Sequence, residues 1–258
     1  MAARLSSLVR LHRKAPDRKV SSGAGGRSSQ TLAERAYDTL EEMIVGCTLP
    51  PGQYLAIQDL QERTGLGRTP IHLAVNRLAM DTLVLIRPRH GLQIAPIDLV
   101  RTRTLLRLRR DIERFVVQLA CEHGGAGARN QMLHIAGLLR ADRDAMSIGT
   151  FNRIDRRIDR LFIEASGEPF LEHTLRPLHT AFRRTGWIYH SRVRPGESMA
   201  ASIDLHLAIL DAAAAGNIHA ALLATDALMR FVGTTLDALG HGADPALFDC
   251  NLALEGDG

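Results

Sequence analysis

Residues 51–91 read PGQYLAIQDLQERTGLGRTPIHLAVNRLAMDTLVLIRPRHG, and their spacing decides the fold. A short helix runs from about Gln58 to Thr64 with Leu60 facing inward, and Gly65, Leu66 and Gly67 then make a tight turn. The next helix starts at Arg68 or Thr69 and continues to Met80, with Pro70 in its first turn, where a missing N–H costs nothing. Leu83–Arg87 is a short strand-like run, Pro88–Gly91 a basic turn, and Leu92–Ala95 a second run; together they predict a β-hairpin. Upstream, Leu32, Tyr37, Leu40 and Ile44 recur at helical spacing from Thr31 onward. Glu34, Asp38, Glu41 and Glu42 fall on the other faces, and Pro50, Pro51 and Gly52 stop the helix. Three helices, a glycine turn between the second and third, and a hairpin make a winged helix-turn-helix.

Downstream the pattern is helical almost throughout. Six segments stand near 99–123, 128–146, 150–166, 169–192, 197–215 and 217–239, divided by breaks such as Gly124-Gly125, Gly167-Glu168-Pro169 and Gly216-Asn217. The expected fold is mainly α, a winged helix-turn-helix followed by an antiparallel helical bundle of about six helices. The domain boundaries expected are a disordered basic arm over 1–30, a winged helix-turn-helix head over 31–98, a helical domain over 99–240, and a loose tail over 241–258. The arm is rich in Arg, Ser, Gly and Ala and lacks the apolar surface to offset chain entropy. Its acid-poor character also resembles a mitochondrial transit peptide.

Charge distribution says more than total charge. The chain of 258 residues carries a net charge of +4, but residues 1–30 hold seven basic residues against Asp17 alone. The rest has 25 basic and 27 acidic residues, and the head over 31–98 has 6 and 8. Basicity therefore argues nothing about the head; position has to. No run of about 18 uncharged apolar residues exists, which excludes a membrane-spanning helix. Cys47, Cys121 and Cys250 form no paired spacing, so a disulfide scaffold or Cys-type zinc site is not expected, and a cytoplasmic setting is. No Gly-rich phosphate loop, GxSxG elbow or HExxH motif occurs, so the chain reads as no enzyme of those classes.

In a helix-turn-helix the start of the recognition helix lies nearest the base edges. Arg68 and Thr69 stand there: the guanidinium can fork onto guanine, and the hydroxyl can bond a base or phosphate. The stretch from Pro51-Gly52 through Leu66, Arg68-Thr69-Pro70-Ile71 and Leu78 to Gly91 resembles the GntR family of transcriptional regulators. More loosely, Arg109…Glu113, Asp155…Ala165-Ser166-Gly167 and His206…Ile209 resemble the branch of that family with an FCD-type effector domain. The resemblance spans about residues 31–237. It implies DNA contacts from Gln58 and His72, the latter where family members often carry Arg, and a wing tip of Arg89, His90 and Gly91 in or near the minor groove. Gly67 replaces the usual Ser at the helix cap.

The resemblance also implies a bundle that takes a small carboxylated effector, often over a divalent ion held by one Asp and three His. Here the Asp-x-x-x-His pair reads Asp155 to Asp159, His206 is present, and Leu228 stands at the last His position. Asp155, Asp159 and His206 could hold Zn, Mn or Mg. Equally, Asp159 could bond an effector, or Asp155 and Asp159 could pair with Arg156, Arg157 and Arg160 on a solvated face. Arg109 is a candidate carboxylate clamp or a partner of Glu113 at i,i+4. The function expected is a homodimeric, ligand-responsive repressor on a double-stranded DNA operator, with no membrane partner. The alternative is a metal-dependent helical enzyme built on Asp155, Asp159 and His206.

Overall fold

The structure, a computed structural model, describes residues 30–244 and 247–248. The basic arm expected over 1–30 falls almost wholly outside the described residues.

The head consists of α1 (Leu32–Val45), β1 (Tyr54–Leu55), α2 (Ile57–Thr64), α3 (Arg68–Met80), β2 (Val84–Arg87) and β3 (Gly91–Ile94). Its core is the apolar stripe of α1, with Tyr37, Leu40 and Ile44 packed on Ile71 and Leu78 of α3 and on Leu92 and Ile94 of β3. Gly65 ends α2 in the left-handed conformation at φ 67°, which lets the chain turn directly into α3. The hairpin β2–β3 forms as expected, with Val84 opposite Ile94 and Arg87 opposite Gly91. A third strand was not anticipated. Tyr54 and Leu55 pair antiparallel with β3, giving the order β1-β3-β2. Two residues are too few for an alternating pattern to register.

The bundle contains α4 (Leu99–His123), α5 (Ala126–Ala141), α6 (Ile148–Ser166), α7 (Phe170–Ile188), α8 (Ala200–Ala214) and α9 (Ile218–Gly242). Side-chain caps start three of them: Asp98, Ser147 and Asn217 accept from the backbone N–H of Arg101, Thr150 and Ala220. Their core runs through Met132, Ile135, Leu139, Leu175, Ile203 and Leu210. At its C-terminal end α7 widens into a π-helical turn, Tyr189–Val193, in which Arg194 N–H donates to Tyr189 O at 2.8 Å. Among the described residues no helix is long and apolar enough to cross a membrane.

Leu247 and Phe248 lie within the stretch expected to be loose. Leu247 is buried in a small apolar cluster with Ile97, Phe182, Ile188, Leu236 and Leu239, and Phe248 pairs with Ile97 in a parallel bridge. Burial of a leucine-sized side chain, worth about 1.5–3 kcal/mol, supplies the reason for the docking.

Head and bundle meet through α1 and α7, and the contact is charged. Glu41, which its spacing places off the apolar stripe, is 1% exposed. Its carboxylate accepts from Arg183 Nη2 at 3.1 Å and lies 2.8 Å from Arg156 Nη2, with the Thr180 hydroxyl as a further donor. Nearby, Tyr37 donates to Asp81 at 2.7 Å, and the guanidinium groups of Arg77 and Arg176 lie over the Tyr37 ring at 4.3 and 4.7 Å. Arg184 donates to the Ala95 carbonyl at 2.7 Å, tying α7 to the strand leaving the wing.

Candidate DNA interface and ligand cavity

Arg68 and Thr69 open α3, and both are exposed. Gly67 precedes them as a cap with no side-chain bond, so nothing shields the helix start, where N–H groups favour an anion. His72 follows one turn on, also exposed, with its Nδ1 3.3 Å from Asn76 Nδ2. Asn76, at i+4 from His72, continues the same exposed outer face. Gln58 is exposed on α2 and donates to Glu62 at 3.0 Å. At the wing tip Arg89 adopts a positive φ of 66°, and Arg89, His90 and Gly91 are all exposed. Gly91 has φ 83°, and a Cβ there would stand 2.8 Å from the Leu55 carbonyl oxygen. The close approach of β1 therefore requires glycine at this point. Arg87 is braced along the hairpin by donating from Nε to Gln93 at 3.0 Å.

Inside the bundle lies a small cavity of about 70 Å³, bounded by Arg109, Phe151, Asn152, Asp155, Phe182, Arg183, His190, Ser202, His206 and Leu228. Asp155 and His206 face each other across 3.1 Å, and His206 Nδ1 bonds the Ser202 carbonyl at 2.7 Å, which fixes the ring. Burial opposes charge on both groups, but their mutual hydrogen bond outweighs it. Asp155 is held well below the usual carboxylate range, helped by Arg183 and Arg109, and His206 is raised above that of an ordinary imidazole. Two buried polar atoms at this cavity, Asn152 Nδ2 and His190 Nδ1, bond no protein group among the described residues.

Asp159 belongs to a neighbouring cluster. Its Oδ2 accepts from Arg183 Nη1 at 2.5 Å and lies 3.3 Å from His179 Nδ1. The other ring nitrogen of His179 is 2.7 Å from Glu113 Oε1, and Arg109 Nε donates to that same oxygen at 2.9 Å. The Arg109 guanidinium lies 5.0 Å from the centre of the Phe182 ring, and its Nη groups donate to no acceptor among the described residues. Burial would raise the Glu113 carboxyl, yet His179 and Arg109 overcome it and hold the group at about 2. Asp159 goes the other way: burial, with Asp155 and Glu113 close by, pushes it up to about 6.

Two family matches cover this layout: the bacterial regulatory proteins of the gntR family over residues 32–94, and the FCD domain over residues 104–231. A transcriptional regulator encoded in the TAR-I ttuE-ttuC' intergenic region of Agrobacterium vitis is 31% identical over 126 residues, covering 46% of this chain and 67% of that protein. The chain belongs to the GntR family and carries an FCD domain. The HTH-type transcriptional repressor RspR of Escherichia coli K12 is 23% identical over 171 residues, 66% of this chain and 75% of that one. The solved structure of E. coli McbR/YncC shares the fold, with a TM-score of 0.71 at 17% identity over 80% of this chain and 97% of its own. This GntR-family protein is therefore a DNA-binding transcriptional regulator with DNA and small-molecule partners, and not an enzyme.

The regulator's candidate site residues divide in two. Arg109, Asp155 and His206 do meet at one cavity, with Leu228 on its wall. Asp155 and Asp159 are not paired with their neighbours in sequence: Arg156 and Arg160 turn instead to Asp38 of α1. Nor do Asp155, Asp159 and His206 close as a ligand set. Among the described residues the group whose donor atoms gather within 4.8 Å is Glu113, Asp159 and His179. A divalent ion fits neither arrangement. At the cavity two donors face an apolar leucine, with two guanidinium groups beside them. In the cluster each ring nitrogen of His179 is turned to a different carboxylate, and Arg109 and Arg183 already neutralise both acids. His179, Arg183 and Glu41 were not singled out in sequence, because a buried charged stripe on a helix reads like a solvated one.

Proposed function

We propose that the regulator is a homodimeric repressor that leaves its operator when a small carboxylated metabolite enters the bundle. Gln58, Arg68, Thr69, His72, Arg89, His90 and Gly91 form the DNA-contacting set. Arg68 reads a base edge from the uncapped start of α3, while the wing tip reaches the adjacent groove. The observation that carries the metabolite half is Arg109. It is 8% exposed, lies over the Phe182 ring, is held at Nε by Glu113 and lines the cavity. A guanidinium so placed grips a carboxylate through two parallel bonds. Asn152 and His190 supply the unused polar atoms for the remainder of the ligand.

Two-fold symmetry supports a pseudo-palindromic operator, since one short recognition helix gains specificity by pairing. Exposed Val100, Leu108 and Phe115 along α4 are suited to pack on a second copy. A mobility-shift assay on the DNA flanking the regulator's own gene, with and without small acids, tests the whole reading. Sequence-dependent binding lost in Arg68→Ala supports the DNA half. Ligand-induced release abolished by Arg109→Ala supports the other. The absence of any sequence-dependent shift refutes it.

A further inference from the structure

Arg183 is a buried charge shared between head and bundle. Its side chain is 6% exposed, one Nη donates to Asp159 on α6, and the other donates to Glu41 on α1. The same guanidinium borders the ligand cavity beside Asp155 and a second, larger cavity of about 240 Å³ between α1, α6 and α7. A buried cation is tolerated only with close opposite charges, and here one comes from the bundle and one from the head.

We propose that Arg183 is the resident cation of the bundle's site: it supplies beside Asp155 and Asp159 the positive charge a divalent ion would bring, so the site works without metal. This rests on the reading that the bundle binds an anion, and it adds how that anion meets the protein. The geometry carries it from three sides. Asp159 is committed to Arg183 and His179 and borders, in place of the 70 Å³ cavity, a smaller neighbouring one of about 30 Å³. Leu228 offers no donor where the wall faces His206. Arg109 and Arg183 line the same cavity as Asp155, so an added ion would meet two guanidinium groups. A metal bound at that point would also have to displace Arg183 from Asp159 and so disturb its bond to Glu41. The site's charge and the docking of α1 are thus carried by one side chain.

The test is metal stoichiometry, read with Zn²⁺ and Mn²⁺ as the probes. Purified full-length protein is loaded with each ion, dialysed and assayed by elemental analysis, and its melting is followed with and without EDTA. The wild type is expected to retain no stoichiometric ion and to melt unchanged in EDTA. Asp159→His with Leu228→His restores donors around Asp155 and His206. Adding Arg183→Met to that pair is expected to tighten Zn²⁺ binding by more than about tenfold, because a nearby positive charge is removed. One ion per wild-type chain, lost in Asp155→Ala, overturns the proposal, and so does equal Zn²⁺ affinity with and without Arg183. If the multiple variants lose their helical circular dichroism, the wild-type stoichiometry decides alone. None of these measurements involves DNA or an effector, so failure here is separable from failure of the repressor reading.

Discussion

Glu41→Gln tests the charged joint between head and bundle most directly. The substitution keeps the shape and one acceptor oxygen but removes the charge from a carboxylate whose side chain is 2% exposed. Arg183, Arg156 and Thr180 all point at it, at 3.1 Å and 2.8 Å for the two guanidinium groups. A hydrogen bond to a charged partner contributes about 1.5–3 kcal/mol, and the amide oxygen can replace one such bond but not both. Arg183 retains Asp159 and Arg156 retains Asp38, which spares the full cost of an orphaned buried charge, about 3–5 kcal/mol. The expected loss is about 2–3 kcal/mol, or about 5–10 °C in melting temperature for a chain of this size. Differential scanning calorimetry measures it. Glu42→Gln is the control: Glu42 has a side chain 66% exposed and stands 3.6 Å from the same Arg156, a surface pair worth under about 1 kcal/mol. Equal melting temperatures for the two variants would refute the joint.

Arg68→Ala should weaken operator binding by about 1–3 kcal/mol and relax base preference, as read by titration at fixed salt. Gly91→Ala places a Cβ 2.8 Å from the Leu55 carbonyl at φ 83°, and should lower the urea midpoint by an amount equivalent to about 2 kcal/mol or more. For Asp159 the folded-state value is raised from 3.8 to about 6, so its contribution to stability is present below 3.8 and lost as pH rises through 6. Asp159→Asn lacks that titration, and its melting temperature should gain on the wild type as pH rises from about 4 to 7. A gap that moves the opposite way would show that the Arg183 ion pair dominates. Phe115→Glu should shift the protein from dimer to monomer in light scattering if α4 is the dimer face, since charge is excluded from an apolar interface core.

The helices were legible because apolar residues recur at regular spacing. α3 could be read from Gly67, Pro70 and Met80, and the bundle breaks from Gly124, Gly167 and Gly216. The π-helical turn at Tyr189–Val193 was read as more of α7, since one extra residue in a turn leaves the composition unchanged. β1 was invisible for want of length. In the bundle, Arg109, Asp155 and His206, named through the resemblance, line one cavity, and the i,i+4 option for Arg109 and Glu113 is one the structure realises. His179, Arg183 and Glu41 escaped because their charged partners lie 20 to 142 positions away, and no local pattern encodes such pairs. What sequence spacing cannot say is which face of a charged helix is buried.

The bond between Glu41 and Arg183 also limits how this regulator can be taken apart. Heads and effector bundles are often treated as interchangeable cassettes, joined wherever the linker permits. Here the seam is keyed. A foreign head with an alanine or lysine at the position of Glu41 would leave Arg183 with half its complement, or set it against a like charge. A chimera would therefore need both halves of the key exchanged together, and engineered sensors built on this bundle should carry α1 along with it.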